Sequence, residues 1–256
     1  METEKSKANK NKGMYVLPNL FTTGALFAAF YALIAAINSN FEIAAIAIFV
    51  SALLDSLDGR VARMTNTQSA FGAEYDSLAD IVSFGVCPGL VVYLWSLSSL
   101  NQFGWLVAFI FVASCGLRLA RFNSSPASSS KRYFYGLPCP SAAAVIAGLV
   151  WVAGSEGATS MAAAIFIAIL TFFLALMMVS NVKYRSFKDY DLKGSKGFTS
   201  MFVVVLVIAF IALSPAYVLF IVFFLYALSG PAALVYCKVM GKSQDEEGPI
   251  IEEGEV

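Results

Sequence analysis

The chain is a succession of apolar runs, most of them close to the roughly 20 residues that a helix needs to cross about 30 Å of hydrocarbon. They fall at approximately 17–38, 42–63, 72–98, 103–122, 137–154, 158–182, 199–213 and 215–236. Within a bilayer every backbone N–H and C=O must be satisfied by the chain itself, and runs of this length meet that demand as helices. The expected fold is therefore all-α, an integral membrane protein built as a polytopic bundle of about eight transmembrane helices. Composition agrees, because only 13% of the 256 residues are charged and 59% are hydrophobic, whereas a soluble domain carries about 25% charge. The last two runs are joined tightly through Ser214 and Pro215, which suits a helical hairpin or one long broken segment.

The distribution of charge sets an expected orientation. Seventeen acidic and seventeen basic residues cancel to a net charge of zero, yet every Lys and Arg falls in the arm before the first run or at or beyond the C-terminal end of an even-numbered run. The alternate connections "NSN", "SLSSLNQ", "GSEGATS" and "SPA" contain none. By the positive-inside rule the chain is expected to be a multi-pass protein of the cytoplasmic membrane, with both termini on the cytoplasmic side. A basic stretch before the first run is also a signal-peptide feature, but the run is long and no small-residue cleavage site follows, so it reads as a retained helix. The expected organisation is a polar cytoplasmic arm at 1–13, a transmembrane catalytic domain at 14–240 and an acidic tail at 241–256 whose composition suits disorder.

Cys87, Cys115, Cys139 and Cys237 are far apart in sequence and form no CxxC pair, so they read as buried free thiols rather than zinc ligands or a disulfide framework. Histidine is absent. That removes the commonest general base and any Ser-His or Cys-His nucleophile pair, and leaves proton transfer to carboxylates, Lys, Tyr or Cys.

Against this apolar background the stretch "LLDSLDGRVARMTNTQSAFGAEYDSLADIVSFG" stands out. Asp55, Asp58 and Ala62 share one helix face, with Gly59 and Arg63 on its flank, and Gly72, Asp76 and Asp80 form a stripe on the next helix. The short polar segment "MTNTQSAF" offers capping residues and makes the two helices antiparallel neighbours. With a rise of about 1.5 Å per residue, Asp58 and Asp76 lie roughly 6–7 Å inside their helix ends and Asp55 and Asp80 roughly 12 Å. Glu74 points away from the stripe. Four carboxylates converging in a partly desolvated space repel one another unless protonated or neutralised by cations. All-carboxylate ligation selects hard cations, Mg²⁺, Mn²⁺ or Ca²⁺, and two such ions would suit phosphoryl transfer. Gly59 and Ala62 leave room for a flat or bulky group, and Arg63 can hold a phosphate.

Other readings of these residues are weaker. An EF-hand loop would need DxDxDG and a later Glu. Buried carboxylates also mark ion pathways, so a divalent cation transporter is an alternative of another class. Transporter sites, however, lie near the midplane between repeats, and no internal repeat is visible in this sequence.

The pattern Asp55-xx-Asp58-Gly59-xx-Ala62-Arg63-x8-Gly72-xxx-Asp76-xxx-Asp80 resembles, at all eight positions, the motif of the CDP-alcohol phosphatidyltransferases. That resemblance implies a homodimeric helical bundle with a polar cavity open to the cytoplasm. It implies that Asp55, Asp58, Asp76 and Asp80 bind two divalent metal ions, Mg²⁺ or Mn²⁺, and that Asp80 is also the catalytic base. It implies further that Asp58, Gly59, Ala62, Arg63 and Gly72 surround the CDP moiety, joined by Asn19 and Thr22 from "PNLFT".

Within the family the chain is similar to phosphatidylserine synthases in "DSLADIVSFGVCP", "RLARFN", "FYGLPCPSAA" and "YRSFK", and lacks the DPxADK-like sequence of glycerophosphate-using members. The implied reaction is transfer of a phosphatidyl group from CDP-diacylglycerol to L-serine with release of CMP. Glycerol-3-phosphate, inositol and choline are the alternative acceptors. A serine acceptor brings a carboxylate, for which Arg118, Arg121 and Asn123 are the candidate contacts; the same arginines would equally serve as helix-end anchors. The implied partners are CDP-diacylglycerol, L-serine, membrane lipids and a second copy of the chain, with no nucleic acid.

Overall fold

A computed structural model of the protein describes residues 2–65, 69–124, 133–154, 160–185 and 213–240. Its helices are α1 (Glu2–Ile37), α2 (Phe41–Thr65), α3 (Ala70–Asp80), α4 (Cys87–Trp95), α5 (Gln102–Ser124), α6 (Cys139–Ala153), α7 (Met161–Val179) and α8 (Pro215–Met240). Five stretches within them, Asn19–Ile37, Ala70–Trp95, Gln102–Ser124, Met161–Val179 and Pro215–Tyr236, are long and apolar enough to cross a membrane, and α6 is a shorter apolar helix. The chain is thus a multi-pass membrane protein. The expected run at 199–213 lies, except for Leu213, outside the described residues, as do the acidic tail and the basic residues Lys131, Arg132 and Lys188. Within the expected arm at 1–13, residues from Glu2 onward are helical, and α1 continues unbroken from there into the first span.

Small residues determine how closely the first two helices approach. Ala25, Ala28, Ala29, Ala32, Ala35 and Ala36 recur at helical spacing and are buried, facing the buried Ala44, Ala45, Ala47 and Ile48 of α2. Such faces let backbones come near in a bilayer, where lipid tails already solvate larger apolar side chains. Phe27, Phe30, Tyr31 and Ile34 point outward from α1. The turn between the two helices is tight, with Ser39 at φ 60°, and Ser51 Oγ donates to the Ala25 carbonyl at 2.8 Å. This antiparallel register carries Thr22 to the level of Asp58.

The expected third span is continuous but not uniformly α-helical. After Asp80 the helix widens into a π turn, Ile81–Val86, before α4, and the Cys87 N–H reaches back five residues to the Val82 carbonyl. Pro88 supplies the reason, since it has no N–H and its ring clashes with the carbonyl four residues earlier in an α-helix, a conflict that one wider turn removes. The π turn packs on α5, where a Cβ at Gly85 would lie 3.2 Å from Cys115 Cβ.

Helix α6 is the centre of the bundle, with Ala142 to Ala147 buried and α2, α4, α7 and α8 around it. At Gly148 an added Cβ would meet Phe220 Cα of α8 at 2.9 Å. At the end of the bundle where α5 and α7 finish, two short strands, β1 (Tyr133–Tyr135) and β2 (Lys183–Arg185), pair antiparallel with Phe134 opposite Tyr184. Gly136 follows at φ +78°, where any Cβ would run into the Met178 carbonyl. The buried Tyr184 hydroxyl donates to the Ala227 carbonyl of α8 at 3.0 Å. Burial pushes its phenol up to about 12, so it remains a donor at neutral pH.

Candidate active site

Three consecutive positions of the bundle converge on one cavity. Helix α1 contributes Asn19 and Thr22, the last turns of α2 contribute Asp58, Gly59, Ala62 and Arg63, and the first turns of α3 contribute Gly72, Ala73 and Asp76; Ser69 completes a lining around about 280 Å³. All seven positions expected around the CDP moiety line it. Ser69 and Ala73 were not anticipated as lining, although Ser69 lies three residues before Gly72, and Ala73 follows Gly72 directly.

Local chemistry explains how α3 presents its first turn. Ser69 is extended at φ −127° and its hydroxyl accepts from the Gly72 N–H at 3.0 Å, an N-cap that satisfies one of the unpaired amides of the helix start. A Cβ on Gly72 would sit 3.1 Å from Ser69 Oγ and 3.3 Å from Asn19 Oδ1. Glycine thus lets α1 and α3 close at the rim. One turn deeper, Thr23 Oγ1 and Tyr75 Oη are 3.0 Å apart in a hydrogen bond that joins the same two helices.

The carboxylates divide unequally. Asp55, Asp76 and Asp80 each place an oxygen within 4.8 Å of the other two. Asp58 is instead held by Thr22, whose hydroxyl donates to its Oδ2 at 2.8 Å. Asp76 Oδ1 is buried with no hydrogen-bond partner, and three carboxylates this close repel unless a proton or a cation intervenes. An orphaned buried oxygen in an all-oxygen donor set fits a hard divalent cation. Glu74 is exposed, away from this cluster.

The three residues expected at the acceptor side have separate partners. Arg118 Nη1 lies 3.6 Å from Cys139 Sγ, and its Nε is buried with no hydrogen-bond partner. Arg121 donates to Asn181 Oδ1 at 2.7 Å and lies over the Tyr135 ring. Asn123 Nδ2 donates to Ser77 Oγ at 2.9 Å. No short spacing joins Cys139 to Arg118, Ser77 to Asn123 or Asn181 to Arg121, so pattern reading had no signal for these contacts. Cys87, Cys115 and Cys139 are free and buried.

Comparison with known proteins places this geometry among relatives. A family model described as CDP-alcohol phosphatidyltransferase matches residues 15–179. A protein of Helicobacter pylori named CDP-diacylglycerol–serine O-phosphatidyltransferase is 39% identical over 179 residues, covering 68% of this chain and 74% of that protein. A protein of the same name from Bacillus subtilis is 33% identical over 178 residues, 69% of this chain and 94% of its own. A third, from Mycobacterium leprae, is 28% identical over 239 residues, 91% of this chain and 79% of its own. The family match runs from before Asn19 to the end of α7 and so spans the cavity and the whole aspartate cluster; the chain belongs to the CDP-alcohol phosphatidyltransferase family.

Proposed function

We propose that this chain is a CDP-diacylglycerol–serine O-phosphatidyltransferase. The single observation that carries the reading is the double position of Asp76, which lines the cavity and also belongs to the three-carboxylate cluster. A nucleotide seated in the cavity therefore brings its diphosphate to the carboxylates. Asn19, Thr22, Asp58, Gly59, Ala62, Arg63 and Gly72 bind the CDP moiety, with Gly59 leaving open space for it and Arg63 available to pair with a phosphate.

In the reaction the serine hydroxyl oxygen forms a bond to the phosphorus that bears the diacylglycerol, and the bond from that phosphorus to the CMP oxygen breaks. Asp80 takes the hydroxyl proton, a role that the histidine-free sequence leaves to carboxylates, Lys, Tyr or Cys and that the family resemblance gives to this aspartate. Asp55, Asp58, Asp76 and Asp80 would hold the divalent cations, Mg²⁺ or Mn²⁺. When bound, these supply charge neutralisation for the diphosphate and the leaving CMP. Arg118, with its unpartnered buried Nε, receives the serine carboxylate, while Arg121 and Asn123 shape the same end of α5.

Serine as the acceptor is supported by the shared name of the Helicobacter, Bacillus and Mycobacterium relatives. The positive-inside pattern supports a site and termini facing the cytoplasm, and family resemblance supports a homodimer. The test is an acceptor panel with purified protein, CDP-diacylglycerol and Mg²⁺ or Mn²⁺. CMP release is expected with L-serine and not with glycerol-3-phosphate, inositol or choline. Release driven by one of these instead, with serine inert, overturns the assignment.

A further inference from the structure

Asp55 and Asp58 are one helical turn apart on the same face of α2, yet only Asp55 belongs to the trio whose oxygens lie within 4.8 Å of one another. Asp58 is turned to Thr22, with 2.8 Å between the hydroxyl and Oδ2. Both partners are buried, Thr22 at 4% exposed and Asp58 at 5%. The level of Thr22 opposite Asp58 is also set, because the alanine face of α1 and the Ser51 to Ala25 hydrogen bond one turn along α1 from Thr22 fix the register of the two helices. A carboxylate oxygen accepting such a bond is committed in direction and presents fewer lone pairs elsewhere.

We propose that Thr22 is a positioning residue that keeps Asp58 apart from the Asp55, Asp76 and Asp80 cluster, so that the chain has one divalent-cation site on its own and acquires a second when nucleotide enters. Thr22, Asp58 and Asp76 all line the cavity, so the entering diphosphate meets the hydroxyl and the held carboxylate together. Its oxygens then complete with Asp58 a donor set that the protein lacks alone. Loading in this order couples capture of the second ion to capture of the nucleotide. The inference rests on the reading of the aspartates as a cation site, and not on serine as the acceptor.

The experiment counts Mn²⁺ on the purified full-length protein in detergent by equilibrium dialysis, with electron paramagnetic resonance on the same samples, with and without CDP. The wild-type protein is expected to bind one Mn²⁺ per chain with an uncoupled signal, and two with a spin-coupled signal when CDP is present. Thr22→Val, which keeps the shape and removes the hydroxyl, is expected to bind two Mn²⁺ without CDP, and Thr22→Ser to behave as wild type. Two Mn²⁺ on the wild-type protein without CDP, no second ion with CDP, or a Thr22→Val count equal to wild type overturns the proposal. If Thr22→Val does not fold, Thr22→Ala takes its place in the same counts with the same expected and overturning results. A wild-type protein that binds no Mn²⁺ overturns the cation reading as well, whereas an acceptor panel that rejects serine leaves these counts untouched.

Discussion

Asn123, near the end of α5, donates from Nδ2 to Ser77 Oγ across 2.9 Å, and so ties the arginine-bearing helix to the helix that carries Asp76 and Asp80. Replacing Asn123 with Ala removes one exposed hydrogen bond, a net loss of about 1 kcal/mol. The expected result is a rise of about fivefold in KM for serine with the donor KM unchanged. Steady-state kinetics with each substrate varied in turn checks this; a donor effect as large as the acceptor effect would place Asn123 elsewhere in the mechanism.

Asp80→Asn keeps the size of the side chain and removes the proton acceptor. Turnover is expected to fall by roughly 10²-fold or more, while binding of CDP-diacylglycerol persists through the cavity, which Asp80 does not line. Turnover and equilibrium binding measured on the same preparation separate the two effects, and near-normal turnover would remove Asp80 as the base.

Arg118→Lys keeps the positive charge but loses the planar fork and the Nε that is buried without a partner. A charge-assisted hydrogen bond to a carboxylate is worth about 1.5–3 kcal/mol, so KM for serine is expected to rise about 10- to 100-fold. Ethanolamine, which lacks the carboxylate, provides the control. Its use, however poor in the wild-type protein, is expected to be unaffected by the substitution.

Gly59→Ala separates stability from function. A Cβ there meets no atom within 4 Å, and alanine is favoured over glycine in a helix interior by about 1 kcal/mol, so thermal stability in detergent is expected to rise. Because the new methyl occupies the cavity, affinity for the CDP-lipid is expected to fall. A variant that is both more stable and undiminished in donor affinity would show that the nucleotide does not lie against Gly59.

The legibility of the sequence was uneven for a physical reason. Helical spacing alone brought Asp55 and Asp58 to one face and Gly72, Asp76 and Asp80 to another, because residues a turn apart must be neighbours whatever the tertiary structure. Apolar length located the helices, and Ser69 is found capping α3 within the segment where a cap was expected. The division of the carboxylates was not legible, since it depends on a hydroxyl 36 positions away in sequence. Neither was the π turn after Asp80, although the Gly85 and Pro88 that accommodate it were in view. Arg121 and Asn123 read as acceptor contacts from their charge and polarity, and pattern gave no sign that they also donate to Asn181 and Ser77.

Among the described residues, every one lining the cavity lies between Asn19 and Asp76, while Arg118 and the strand pair at Tyr133–Tyr135 and Lys183–Arg185 come from later in the chain. On the proposed assignment of CDP to the cavity and of the acceptor to Arg118, the two halves of recognition are written in separate stretches of one polypeptide. On that assignment, substitutions in the later stretch are expected to alter the alcohol without disturbing the nucleotide chamber, a route by which lineages built on this scaffold would reach new lipid headgroups, and a chimera would take its crossover point after α3.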